Sequence, residues 1–213
     1  MGMAELTPER MLAAYRRGIF PMAEAADGMV LHWVEPRRRG VFPLDGFHIS
    51  RSLRRQILAG AYEISVNRAF GTVVAACAGR RETWINAGLA QIYAALHRQG
   101  HAHSLEVWQE GALAGGVFGI AIGRAFMGES MVSGRTGGSK IALAYLVDRL
   151  RRAGFTLFDT QFLTPHLASL GAVEVPQAEY LRQLQAALTG RADFTAPATP
   201  QPSVLMQRST QTS

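Results

Sequence analysis

HSLEVWQEGALAGGVFGIAIGRAFMGES, residues 103–130, decides the fold. It reads as three short strands, HSLEVWQEG, ALAGGVFGIAIG and RAFMGES, that follow one another almost without linkers. Parallel neighbours need a crossover of a dozen or more residues, so strands this closely spaced pair as an antiparallel meander. Working outward, AYEISVN (61–67) alternates like a strand, while AFGTVVAACA (69–78) and NAGLAQIYAALHRQG (86–100) carry helical spacing. After the meander come a helix over about 139–152, the strand FTLFDTQ (155–161), a short helix around PHLASLG, the strand AVEVP (172–176) and a helix around AEYLRQLQAAL. Antiparallel strands followed by strand–helix–strand predict a mixed sheet in an α+β domain.

Before Ala61 the pattern differs. Thr7-Pro8-Glu9 is an N-cap with proline at the first helical position, and Gly18 closes a helix over about 8–17. In FHISRSLRRQILAG, Ser50 caps and Gly60 stops a second helix, whose Arg51, Arg54 and Arg55 fall on one face. Residues 1–60 therefore read as a small helical and irregular unit without alternating strands, 61–190 as the mixed-sheet domain, and 191–213, rich in Pro, Thr and Ser, as a mobile tail.

The 213 residues, 48% hydrophobic, suffice for a real core. Cys77 is the single cysteine, which excludes an internal disulfide and a cysteine zinc cluster and fits a reducing cytoplasm. No apolar run approaches the roughly 20 residues of a membrane helix, and neither a metal nor a membrane partner is implied. The net charge is +6, and Lys140 is the sole lysine. Arginines cluster at 16–17, 37–39, 51/54/55, 80–81 and 149/151/152. That surface would attract a polyanion such as nucleic acid, and charge alone admits a merely solvated basic face equally well.

SGRTGGSK (133–140) before a helix suggests a phosphate cradle. A Walker loop is excluded, because Gly134 and Gly138 are four apart and Ser139 separates Gly138 from Lys140. What survives is a loop whose backbone N–H groups, with Arg135 and Lys140, can hold some anion, or else a glycine-rich loop capped by Ser139. Glu129 ends one apolar strand, and Asp159 and Gln161, two apart, project from one face of another. Polar groups so placed are bonded together or poised toward a ligand. Trp84, Tyr93 and Phe126 line an apolar pocket or fill the core. His101 and His103 lack a third metal ligand, and no G-x-S-x-G motif is present.

Nine stretches in one register, AYRRGIFP, HISRSLRR, ETWI, GHAHSLEVW, GGVFGIAIG, FMGESM, SK, DTQ and HLASLGA, resemble the leucyl/phenylalanyl-tRNA-protein transferase family from about Leu6 to Leu184. The resemblance implies a small N-terminal domain joined to an acetyltransferase-like (GNAT-like) domain, with leucine or phenylalanine moved from aminoacyl-tRNA to the α-amino group of proteins beginning with Arg or Lys, marking them for degradation. No cofactor is implied, since the ester is already activated. Glu129, Asp159 and Gln161 inherit the active site. Asp159 is expected to orient and polarise Gln161, Gln161 to hold the attacking amine, and Glu129 to receive the acceptor's amine or cationic side chain. Trp84, Phe126, Tyr93 and Leu143 are expected around the transferred side chain, with Met22 against the adenine where many members carry tryptophan. Arg51, Arg54, Arg55, Arg135 and Lys140 are expected to meet tRNA, although Gly134 shifts Arg135 by one position from the family pattern. An acyl-CoA-dependent GNAT N-acyltransferase, which lacks support from a Q/R-x-x-G-x-G/A loop, and a non-catalytic tRNA-binding protein are the rival readings.

Overall fold

A computed structural model describes residues 6–24, 28, 30–81 and 83–210. Its elements are α1 (Pro8–Arg16), β1 (Phe20–Ala23), β2 (Leu31–Val34), β3 (Arg38–Phe42), α2 (Arg51–Ala59), β4 (Glu63–Val66), α3 (Phe70–Ala78), α4 (Ala87–Arg98), β5 (Ala102–Gln109), β6 (Ala112–Ile122), β7 (Ala125–Ser133), α5 (Gly138–Ala153), β8 (Leu157–Gln161), α6 (Pro165–Ala168), β9 (Val173–Pro176), α7 (Gln177–Leu188) and α8 (Pro202–Thr210).

The three segments of the opening stretch form the antiparallel meander β5-β6-β7. It lies within a seven-stranded mixed sheet of order β4-β5-β6-β7-β8-β3-β9. Only β7 and β8 run parallel, because α5 supplies the crossover between them. Both faces are covered, so alternate strand residues enter two cores. Phe118, Met127, Leu157 and Val41 join the core under α1, α3, α4 and α7. Val117, Phe126, Phe158 and Phe42 join the core under α2, α5 and α8.

The caps of the first two helices form as the sequence dictates. Thr7 Oγ1 accepts from the Arg10 N–H at 3.2 Å, and Ser50 Oγ accepts from the Leu53 N–H at 3.2 Å. Gly60, at φ +63°, ends α2 in the left-handed conformation. The loop before α5 behaves differently: Gly137, not Ser139, is the N-cap, and the Ser139 N–H donates to Ser133 Oγ at 3.3 Å. Gly138 is required by packing, since a Cβ there would lie 1.9 Å from the Ala114 carbonyl oxygen on β6.

Two sequence expectations are corrected. Residues 1–60 contain three strands. β1 and β2 pair with each other, and β3 enters the main sheet between β8 and β9. The Arg37–Arg39 run conceals β3, where the alternation is by face: Arg38 is exposed and Arg39 is only 1% exposed. Residues 191–210 are also not a loose tail. Phe194 is 2% exposed, stacked between His103 (4.6 Å) and Phe126 (5.3 Å), and its carbonyl accepts from Arg149 at 2.7 Å. Leu205 and Met206 of α8 are buried where that helix meets α2 and α5. A few apolar anchors outweigh the polar composition around them.

Phe194→Ala is expected to lower unfolding free energy by about 3–5 kcal/mol through loss of a buried aromatic, measured as a shift in denaturant midpoint. A detached tail would leave the midpoint unchanged.

Candidate active site

The site exists because two neighbouring strands part. β7 and β8 pair only from Ala125↔Leu157 to Met127↔Asp159. Each then carries an extra residue relative to its other neighbour. On β7, Ser130 faces Phe118 and Gly128 faces Gly119, which leaves Glu129 without a partner. On β8, Asp159 faces Val41 and Gln161 faces Gly40, which leaves Thr160 without one. Bulges of this kind end pairing and re-aim side chains. The opening is a cleft of about 210 Å³ whose walls include Phe20, Met22, Trp84, Glu129, Leu143, Gln161 and Phe162. Thr160 is also among the lining residues, and its Oγ1 is buried without a hydrogen-bond partner among the described residues.

Glu129, 7% exposed, is held from three sides. Tyr15 Oη donates to Oε1 at 2.7 Å, Tyr93 Oη to Oε2 at 2.8 Å, and Gln161 Nε2 to Oε1 at 3.2 Å. Burial pushes its pKa up to about 7 against the two tyrosine donors, with the Asp159 charge pushing the same way and Arg39 opposing. Both tyrosines are themselves held well above the ordinary phenol value by burial and by the adjacent carboxylate. Glu129 is thus a carboxyl able to gain or lose a proton near neutrality, facing a cleft.

Asp159 has a different environment. It is fully buried and accepts a bidentate pair from Arg39, Nε to Oδ1 at 2.8 Å and Nη2 to Oδ2 at 2.6 Å. Tyr180 Oη adds a bond to Oδ2 at 2.8 Å. Arg39 is gripped as firmly, with Nη1 on the Gly18 carbonyl at 2.9 Å and its guanidinium between the rings of Phe20 (4.6 Å) and Tyr180 (4.5 Å). Burial works against the Arg39 charge, but Asp159 outweighs it and the net shift is upward.

The expected polarisation of the Gln161 amide by Asp159 is corrected by this geometry. Asp159 Oδ1 accepts from the Gln161 backbone N–H at 2.8 Å, while the Gln161 side chain bonds Glu129. Gln161 sits at φ +58°, a left-handed conformation costing about 1–3 kcal/mol that the backbone bond helps to hold.

Of the residues expected around the transferred side chain, Trp84 and Leu143 line the cleft, as does Met22, expected against the adenine. Tyr93 stands behind Trp84, ring centroids 6.4 Å apart, and reaches Glu129 with its hydroxyl. Phe126 does not line the cleft: at 1% exposure it packs behind Phe158, which does line it, and against Phe194. Arg51, Arg54 and Arg55 are exposed on α2 with no carboxylate at ion-pair distance among the described residues. Arg135 pairs with Glu110 at 2.7 Å, and Lys140 is half-buried in the first turn of α5. Gln56 of α2 abuts Gly137, so the basic helix and the glycine loop adjoin. His103 is structural, pushed down to about 4 by burial and hydrogen-bonded to Asn67 at 3.0 Å. Sequence reasoning missed Arg39, Tyr15, Tyr180, Phe162 and Arg80 of the cleft and its support.

Comparison with known proteins fits this arrangement. Residues 41–185 match the family described as leucyl/phenylalanyl-tRNA protein transferase, and residues 4–37 match its N-terminal domain. The chain belongs to this family. It is 60% identical over 98% of its length to a leucyl/phenylalanyl-tRNA--protein transferase of Cereibacter sphaeroides, covering 98% of that protein. It is 61% identical to one of Ruegeria pomeroyi, covering 98% of this chain and 99% of that one. Among solved structures it is similar in fold to FemX, with TM-score 0.53 and 12% identity over 79% of this chain and 66% of the other.

Asp159→Asn is expected to destabilise the fold by about 3–5 kcal/mol, because it leaves the buried Arg39 charge without its counter-ion. Chemical denaturation checks this, and a change under about 1 kcal/mol would mean that Arg39 is relieved by another route.

Proposed function

We propose that this chain moves leucine or phenylalanine from aminoacyl-tRNA to the α-amino group of proteins beginning with arginine or lysine, marking them for degradation in the cytoplasm. The observation that carries the reading is the Glu129–Gln161 pair facing an apolar cleft with room for one large side chain, in a chain of this family. In this reading residues 61–190 are a GNAT-like catalytic domain and residues 1–60 a small N-terminal domain whose third strand completes the catalytic sheet. The transferred side chain lies against Trp84 and Leu143, with Met22 and Phe162 at the mouth. The basic helix α2 and the adjoining loop 133–140, with Arg135 and Lys140, face the tRNA backbone.

The chemistry needs no further activation, because the donor is an ester. The acceptor nitrogen forms a bond to the ester carbonyl carbon, the bond from that carbon to the ribose oxygen breaks, and one proton passes from the amine to the departing hydroxyl. Ionised Glu129 takes that proton, and Gln161, fixed through Asp159, orients Glu129 and the amine. A pKa near 7 suits a base that must also return the proton. A cleft of about 210 Å³ is small beside the roughly 300–1,000 Å³ usual for drug-sized ligands, which disfavours an extended acyl-CoA.

Transfer of labelled phenylalanine from tRNA to an arginine-starting peptide tests the reading. Acetyl-CoA consumption instead, or binding of tRNA without transfer, would replace it with one of the rivals. The base form of Glu129 is populated above about 7 and lost below it, so kcat/KM is expected to rise through that range. Glu129→Gln is expected to lower kcat by about a hundredfold, within the range for a proton-transfer group, and to abolish that limb. An unaltered profile in the variant would remove Glu129 from proton transfer.

Replacing Arg51, Arg54 and Arg55 with glutamine is expected to weaken tRNA binding and to flatten the slope of log K against log salt by roughly 2–3 units, at about 0.9 per phosphate contact. An unchanged slope would make the stripe a solvated face.

A further inference from the structure

Arg80 follows the end of α3 and lies on the wall of the cleft that holds Glu129. It is exposed, yet its guanidinium is fixed at two points. Nε donates to the Cys77 carbonyl at 3.1 Å, and Nη2 donates to Ser130 Oγ at 2.8 Å. Ser130 is the residue after Glu129 on β7. The anchors are neutral, and no carboxylate lies at ion-pair distance from Arg80 among the described residues. Arg38, Arg68, Arg135 and Arg182, by contrast, each pair with a carboxylate, whereas Arg51, Arg54 and Arg55 share with Arg80 the lack of one among the described residues. Among the described residues, Arg80 is the one cationic side chain on the cleft wall, and its remaining N–H donors have no protein acceptor.

A planar cation held in place beside a reaction site, with donors left over, matches an oxyanion ligand better than a freely rotating side chain does. The chemistry of the donor identifies that ligand. Its ester is on the ribose of a terminal nucleoside, and the nearest negative charge is the phosphodiester on the other side of the same ribose. In the structure the cation is anchored one residue from the carboxylate assigned to the reacting amine, which is the order that one ribose would impose. The acceptor brings positive charge to the same cleft, so a bare guanidinium there would oppose it. A phosphodiester on Arg80 removes that opposition.

We propose that Arg80 binds the phosphodiester 5′ to the terminal nucleoside of the aminoacyl donor and so sets the depth to which the ester enters the cleft. The assignment rests on the aminoacyl-tRNA reading above. It is tested with the full chain and two inhibitors of phenylalanine transfer: a non-hydrolysable aminoacyl-adenosine amide, and the same compound carrying a 5′-O-methyl phosphodiester. The expected result is that the wild type binds the phosphodiester compound at least about tenfold tighter, as for hydrogen bonds to a charged group, and that Arg80→Gln brings the ratio to within about twofold of one. The ratio is internal to each folded protein, so a loss of stability in the variant does not mimic the effect. A wild-type ratio near one, or a ratio that survives Arg80→Gln, overturns the Arg80 assignment while phenylalanine transfer by the wild type leaves the broader reading standing. A wild type that transfers no phenylalanine and binds neither compound overturns both.

Discussion

The buried ion pair between Arg39 and Asp159 is the constraint on which the site depends. Burying two charges costs several kcal/mol each, which is recovered only when geometry is good and the remaining donors and acceptors are used. Here Asp159 accepts from Arg39, Tyr180 and the Gln161 backbone, and Arg39 also donates to the Gly18 carbonyl. Those contacts join β3, β8, α7 and the turn after α1. The pair therefore ties the turn after α1 and strand β3 to the main sheet and α7. Through the Gln161 N–H it also sets a left-handed backbone at the edge of the cleft, which directs the Gln161 amide toward Glu129.

The same arrangement separates the roles of two carboxylates. Asp159 has a cation at contact distance, whereas the direct partners of Glu129 are hydroxyls and an amide. Hydrogen bonds from neutral donors offset part of the desolvation of Glu129 but supply no charge, so it titrates near neutrality. Asp159 is committed to structure, and Glu129 is left for the proton transfer proposed above. Tyr15 makes the N-terminal segment part of that environment, since a residue of α1 bonds a carboxylate 114 positions away.

Local signals made the meander, the crossover after it and the caps of α1 and α2 legible in the sequence, because strand spacing and capping residues act over a few positions. Glu129 and Gln161 were legible as polar residues in apolar strands. Their relation was not. Counting two residues from Asp159 to Gln161 places both on one face of a regular strand, but Thr160 is the extra residue of a bulge and Gln161 has positive φ, so the two side chains reach different partners. Phe126 was expected at the pocket from the resemblance, and it is buried behind Phe158, which lines the cleft in its place. The Arg37–Arg39 run and the Pro- and Thr-rich end hid a core strand and a docked helix for one reason: burial of Arg39 or Phe194 is decided by partners far away in sequence, Asp159 for one and His103 with Phe126 for the other.

The glycines of the loop before α5 show how a functional signature can have a packing origin. A Cβ on Gly115 would stand 2.2 Å from the Gly138 carbonyl carbon, and one on Gly138 would press on the Ala114 carbonyl and Gly115 Cα. The first turn of α5 rests directly on β6, which only residues without side chains permit. That contact explains Gly138 without any phosphate. It also places Gly137 against Gln56 of α2 and so brings the start of α5 beside the helix that carries Arg51, Arg54 and Arg55. The case for an anion on this face therefore rests on cations that lack protein partners and not on the spacing of glycines.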